Sequence, residues 1–177
     1  MIVNRNSKRN LILSAASLIV NKQGVEKLTL EAVAKEAGIS KGGLLHHFPN
    51  KEALLKAMVE ELTNGFVADV QNRANADTIE KGKWSRAYLQ STLGDLKEET
   101  STALTTSFFT NKDLLGELQN QYSIWQKNLE NDGIDPVDAS IIRLVADGLW
   151  FSELFGIGKI DDELREKIIH KLQLMTK

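Results

Sequence analysis

The side chains that could do chemistry in this 177-residue chain gather in one short stretch, where Lys41, His46 and His47 place hydrogen-bond donors around a glycine pair, Gly42 and Gly43. Two adjacent histidines raise the question of a metal. Neighbouring residues on a helix point about 100° apart and cannot share one ion, and His170 is over a hundred residues away. Solvent or phosphate contacts are the reading left for the pair, and no metal is expected. There is no cysteine to act as thiolate nucleophile or ligand. No G-x-S-x-G, Walker, H-E-x-x-H or kinase pattern occurs. Gly156-Ile157-Gly158 is half of a dinucleotide fingerprint, but it follows a helical pattern rather than a strand and lacks the third glycine, so it reads as a helix stop. No catalytic residue and no cofactor are expected, and the chain is not read as an enzyme.

What positions the donors is a pair of short helical patterns from Thr29 to Phe48, TLEAVAKEAGISKGGLLHHF, hinged on Gly38. Leu30, Val33, Ala34 and Ala37 recur at i, i+3, i+4 and i+7, one apolar stripe on a helix that Thr29 can cap. Gly38 supplies a left-handed stop. Ile39 can plug the angle, Ser40 can cap the second helix, and Leu44 and Phe48 give that helix a buried side. Pro49-Asn50-Lys51-Glu52 then stops it and caps the next. This is the pattern of a helix-turn-helix. Gly42 and Gly43 each cost about 1 kcal/mol relative to alanine inside a helix, which a buried strut would not need. A helix that presses its backbone against another surface does need it, and the major groove of DNA admits an α-helix.

The run SKGGLLHHFPNKEALL, preceded by LTLEAVAKEAGI, resembles the DNA-binding signature of TetR-family transcriptional regulators, from about Ser7 to Met58. The resemblance implies an all-α fold: a three-helix helix-turn-helix DNA-binding domain over 1–50, joined by a long helix to an effector-binding and dimerisation domain over 51–177. It implies that Ser40 to His47 enter the major groove of a near-palindromic operator, with Lys41 touching DNA at the helix start. Thr29, His46, His47 and Lys51 match the family's phosphate-contacting positions. Gly42 and Gly43 would let the backbone approach. The family usually has an aromatic residue, most often tyrosine, where this chain has Leu45, so one phosphate contact is replaced by van der Waals contact.

Composition is consistent with this. Net charge is only −2, but residues 1–50 hold seven Lys/Arg against three Glu, whereas the remainder holds 15 basic against 21 acidic residues. A basic head on an acidic body suits phosphate binding by one domain alone. At 42% apolar the chain can bury a core. MIVNRNSKRN lacks the apolar run of a signal peptide, and no stretch approaches the roughly 20 apolar residues of a membrane span. A cytoplasmic protein with no membrane contact is expected.

Before the helix-turn-helix, Leu11, Ile12, Ala15, Ala16 and Ile19 form the inward stripe of a helix from about Ser7 to Lys22, stopped by Gly24. Arg5, Lys8 and Arg9 at its start serve either as an arm along DNA or as an ordinary charged helix end. After it, Leu54, Leu55, Met58, Val59, Leu62, Phe66 and Val70 mark one side of a long helix from Lys51 to about Ala74, followed by a polar loop. The body continues with helices over Trp84 to Leu96, Thr100 to Thr110 and Asp113 to about Asn131. The middle one, TSTALTTSFFT, is rich in threonine and could suit a strand, but no partner strand is apparent. Asp135-Pro136 opens a helix ending near Gly156, and Asp161 caps a last helix through Met175.

The last two helices are apolar on more than one side. That surplus fits either a subunit interface or a deep helix in a monomer; the interface is favoured, and the resemblance implies a homodimer joined by these two helices. Trp84, Phe108, Phe109, Trp125, Phe151 and Phe155 stand among the body's aromatics. Such a cluster is either core or the lining of a site for a small apolar or amphipathic effector, which the resemblance implies. Asp147 and Glu153 leave room for a cation, although Arg143 stands four residues before Asp147 and can pair with it. The expected function is a ligand-responsive transcriptional regulator, a repressor released from its operator by the effector. The alternative is a helical protein-interaction module or enzyme carrying an incidental helix-turn-helix.

Overall fold

The computed structural model describes residues 5–94, 105 and 111–177, and among them there are helices and turns but no strand. The chain divides into two compact units, Met1–Thr63 with Glu98–Leu115 and Asn64–Lys97 with Gly116–Lys177. Apart from Thr105, the threonine-rich helix expected over 100–110 lies outside the described residues, as do Phe108 and Phe109.

In the first unit, α1 (Arg5–Gln23) is followed by a 3-10 turn (Val25–Lys27), α2 (Leu30–Glu36), α3 (Lys41–Leu45) and the start of α4 (Lys51–Ala76). The junctions are closed by residues adjacent in sequence. Thr29 Oγ1 accepts from the Ala32 amide at 3.1 Å, Ser40 Oγ from Gly43 at 3.1 Å, and Asn50 Oδ1 from Ala53 at 2.8 Å. Each such cap contributes about 1 kcal/mol. Gly38 takes φ 65°, which lets the Ile39 amide reach back to the Ala34 carbonyl at 3.0 Å and ends α2. Ile12, Ala16, Leu28, Val33, Leu44, Leu54 and Val59 form the centre of the core, and Leu114 from a later helix completes it. Burying each leucine or isoleucine stabilises the unit by about 1.5–3 kcal/mol.

Two residues depart from the expected stripes. Leu11 is 47% exposed, and Leu13 and Val20 are buried instead. The inward arc of α1, centred on Ile12, Ala16 and Ile19, widens toward Leu13, and Leu11 lies about 100° to the other side of Ile12. Leu62 on α4 is also exposed, one residue before the first unit ends.

The second unit holds the rest of α4 with α5 (Lys83–Gly94), α6 (Lys112–Glu130, its first turn excepted), α7 (Pro136–Phe155) and α8 (Asp162–Met175). Asp135 caps α7 by accepting from Val137 at 2.7 Å, Pro136 opens the helix, and Gly156 at φ 67° ends it. Asp161 caps α8 through Leu164 at 2.8 Å. The start of α5 is held from a distance: buried Asp132 accepts from the Trp84 amide at 3.0 Å and the Ser85 amide at 2.7 Å. Arg86 binds Asp77 at 2.7 Å and the carbonyls of Ile79, Lys81 and Thr176, tying the loop before α5 to the end of α8. Tyr88, Leu89, Trp125, Leu129, Ala139, Ile142, Ala146 and Leu172 make the core. No helix among the described residues is long and apolar enough to cross a membrane.

Candidate functional site

In the first unit the short helix α3 has two distinct sides. Leu44 and Phe48 are buried, whereas Lys41, Gly42, Leu45 and His46 are exposed. Neither Gly42 nor Gly43 has a positive φ, so the backbone does not demand glycine at either place. A Cβ built on Gly42 meets nothing within 4 Å, and one on Gly43 meets only the Ser40 Oγ, at 3.2 Å. Ser40 supplies the cap, so a side chain at 43 crowds it, but at 42 the fold gives no reason for the helix cost of about 1 kcal/mol.

Donors surround the bare backbone. Lys8 from α1 meets Ile39, Ser40, Gly43, His46 and His47 around one open depression. Arg9, by contrast, lays its guanidinium over the Phe48 ring at 5.7 Å, against the core. The His46 and His47 rings meet edge to face with centroids 5.7 Å apart. Lys41 forms an ion pair with Glu31 on α2, and the hydrogen bond from its ammonium holds the Glu31 carboxyl below its ordinary range. Lys51 is half-buried and donates to the Val25 carbonyl at 3.2 Å, pinning the 3-10 turn with one of its three N–H groups. Thr29 and Ser40 act as acceptors in their caps, which leaves each hydroxyl hydrogen able to turn toward a ligand. The arrangement can receive a polyanion against a flat helix face.

The structure brings Ser40, Gly43, His46 and His47 together with Lys8, and sets Lys41, Gly42 and Leu45 on the adjoining exposed surface of α3. Thr29 and Lys51 sit at the starts of the flanking helices. The basic cluster at the start of α1 was the signal in the sequence for Lys8. Nothing in the sequence signalled the Lys41 pairing with Glu31, because it joins different helices ten residues apart.

In the second unit the aromatics divide. Phe66, Tyr88, Tyr122 and Trp125 pack edge to face, with ring centroids 5.1–5.8 Å apart. Trp84 packs against this core and against the satellite cluster of Val70, Ala74 and Ala87. Phe151 and Phe155 pair with each other at 4.7 Å, and Phe151 is exposed; among the described residues no ring contact joins them to Trp125. A polar chain borders the cluster. Tyr88 donates to Asp147 at 2.6 Å, Arg143 binds Asp147 at 3.1 Å and Gln126 at 2.7 Å, and Arg143 also lies 5.7 Å over the Tyr122 ring. Burial raises the Asp147 carboxyl above its ordinary range despite the Tyr88 hydroxyl and Arg143. Burial likewise raises the Tyr88 and Tyr122 hydroxyls. Glu153 pairs with Lys159 at 3.3 Å. Tyr88 escaped sequence reasoning because its partner is 59 residues away.

Comparison with known proteins also finds two matched segments, although 98–115, part of the first compact unit, falls in the second of them. Residues 12–58 match the family described as bacterial regulatory proteins, tetR family, and residues 82–177, just over half of the chain, match the tetracyclin repressor-like C-terminal domain. The HTH-type transcriptional repressor KstR2 of Rhodococcus jostii is 31% identical over 86 residues, 49% of this chain and 40% of that protein. The HTH-type transcriptional regulator RutR of Escherichia coli is 36% identical over 66 residues, 37% of this chain and 31% of that protein. The chain thus spans less than half the length of these curated relatives in the matched regions. In fold, the crystal structure of a regulator from Haemophilus influenzae superposes with TM-score 0.70 at 16% identity, covering 97% of both chains.

Proposed function

The chain belongs to the TetR family of transcriptional regulators, and on that premise we propose that it is a cytoplasmic repressor whose first unit binds an operator and whose second unit binds the effector that releases it. The observation that carries the DNA-binding reading is the exposed glycine pair of α3, with Gly42 under no structural need to be glycine and Gly43 beside Lys8, His46 and His47 in one open depression. Bare backbone and cations are what a helix needs to lie in the major groove between phosphates. Lys41, His46, His47, Thr29 and Lys51 contact phosphates or base edges in this reading, and Ser40, Gly42, Gly43 and Leu45 form the face that enters the groove. That the relative KstR2 of Rhodococcus jostii is named a repressor supports the sign of regulation.

The reading includes a homodimer through α7 and α8. Val137, Ile141, Leu144 and Phe151 are exposed on α7 in a four-three-seven spacing, a single apolar stripe along the helix, and Leu164 and Leu174 are exposed on α8. The effector is an apolar or amphipathic molecule received by the aromatic part of the second unit, with Trp84, Trp125 and Phe155 as the proposed contacts there. α4 is one unbroken helix that begins in the first unit and ends in the second. An effector that prefers a tilted α4 would change the spacing of the two reading helices in the dimer.

The test is selection of duplexes from a random library by the purified full-length protein, with the salt dependence of binding measured on the enriched sequence. A palindromic enriched site and affinity that falls steeply with salt are expected. Lys41→Ala, which removes one cation from each half of the dimer, should flatten the log–log slope by about two units. No enrichment, or binding indifferent to salt, would overturn the DNA-binding reading and favour a protein-interaction module.

A further inference from the structure

We infer that Leu45 is a specificity-determining residue that reads the C5-methyl group of a thymine in the operator; the inference rests on the DNA-binding reading of α3. Leu44 and Leu45 are neighbours of the same residue type with opposite fates: Leu44 is fully buried and Leu45 is 38% exposed. Leu45 lies on the same exposed surface as Lys41, one helical turn earlier, and Gly42, three residues earlier. Side chains on a helix lean toward its N-terminus, so the isobutyl group of Leu45 points over the turn that contains Lys41 and Gly42. At Gly42 an added Cβ would find nothing within 4 Å, so the helix surface beside Leu45 is open at this point.

A leucine can neither donate to a phosphate nor pair with a base edge. The one apolar group presented in the major groove is the thymine methyl, which is recognised by apolar contact. A methyl seated between Leu45 and the Gly42 backbone is removed from water on both sides, and a side chain at position 42 would exclude it. This accounts for two features together: the glycine that the fold does not require, and an exposed leucine on the surface that approaches DNA. Lys41 contributes charge on the same turn and no preference for a methyl.

The test uses the full-length protein and the duplex it enriches from a random library. That duplex is remade with deoxyuridine replacing thymine one position at a time, which keeps pairing and the O4 acceptor and removes only the methyl. We expect one position in each half-site at which the wild-type protein loses about three- to fivefold in affinity, the worth of one buried methyl group. Leu45→Ala should bind the thymine and uracil forms alike, and Leu45→Met, which keeps an apolar tip, should retain the preference. Indifference of the wild-type protein to uracil at every position would overturn the assignment while leaving the DNA-binding reading intact. So would a thymine preference that survives unchanged in Leu45→Ala. Failure to enrich any duplex would overturn the DNA-binding reading and this assignment with it.

Discussion

The two units differ in how they anchor helix starts: the first uses neighbouring residues, and the second, beside the local caps of α7 and α8, also holds a helix from far along the chain. In the first, Thr29, Ser40 and Asn50 each cap the helix that follows them, with donor and acceptor three residues apart. In the second, the start of α5 is held by Asp132 from 47 and 48 residues away, and Arg86 reaches 90 residues to the Thr176 carbonyl. The local caps of the first unit leave its polar groups at the surface, where a ligand can meet them. A body made of long-range polar contacts must bury them, and burial makes each one energetically consequential.

The largest expected effect tests this difference directly. Asp132→Ala removes a buried carboxylate that accepts from two backbone amides and strands both donors, so the second unit should lose about 3 kcal/mol in denaturant unfolding. Ser40→Ala removes a neutral hydroxyl cap that accepts from one amide at an exposed site, and should cost about 1 kcal/mol, seen as faster amide exchange confined to α3 and its neighbours. Equal losses in the two variants would break the distinction between local and remote anchoring.

The same difference decides what was legible in the sequence. Caps at Thr29, Ser40, Asp135 and Asp161 and the left-handed stops at Gly38 and Gly156 are all found where the residue types called for them, because each is settled within four residues of chain. The aromatic contacts were less legible. Trp125 is in the cluster, but its neighbours Phe66 and Tyr88 come from other helices, and periodicity carries no information about which helix faces which. Leu11 illustrates the limit even within one helix: a stripe fixes a side but not its edges, and packing decided for Leu13. On α3 the sequence held nearly the whole candidate surface, and the partner it could not give was Glu31 for Lys41.

A smaller effect of opposite sign sharpens the contrast. Gly42→Ala adds a methyl where nothing lies within 4 Å and restores helix propensity, so the first unit should gain up to about 1 kcal/mol in thermal unfolding. Affinity for the enriched duplex should fall in the same variant. A gain in stability without loss of DNA affinity would remove close approach as the reason for this glycine.

The smallest expected effect concerns protons, where the two units again differ in sign. On the head, Glu31 is fully solvated and the Lys41 hydrogen bond holds its carboxyl low; in the body, burial holds the Asp147 carboxyl high. A carboxyl depressed by folding contributes stability that is present above its unfolded value, about pH 4, and is lost as pH falls through its folded value. A carboxyl raised by folding does the reverse: the folded state binds its proton more tightly, so its contribution is greatest below about pH 4 and is lost as pH rises through the folded value. The unfolding free energy of the wild type minus that of Asp147→Asn should therefore decline as pH rises from 4 and then level off. The same difference taken with Glu31→Gln should grow as pH rises through the acid range and level off near neutrality, and added salt should weaken it because that pair is exposed. Melting curves of the three proteins between pH 3 and 7 decide the matter. If the Asp147 difference is flat or rises, the Tyr88 hydrogen bond and the Arg143 charge outweigh burial at this carboxyl, and burial does not set its proton affinity.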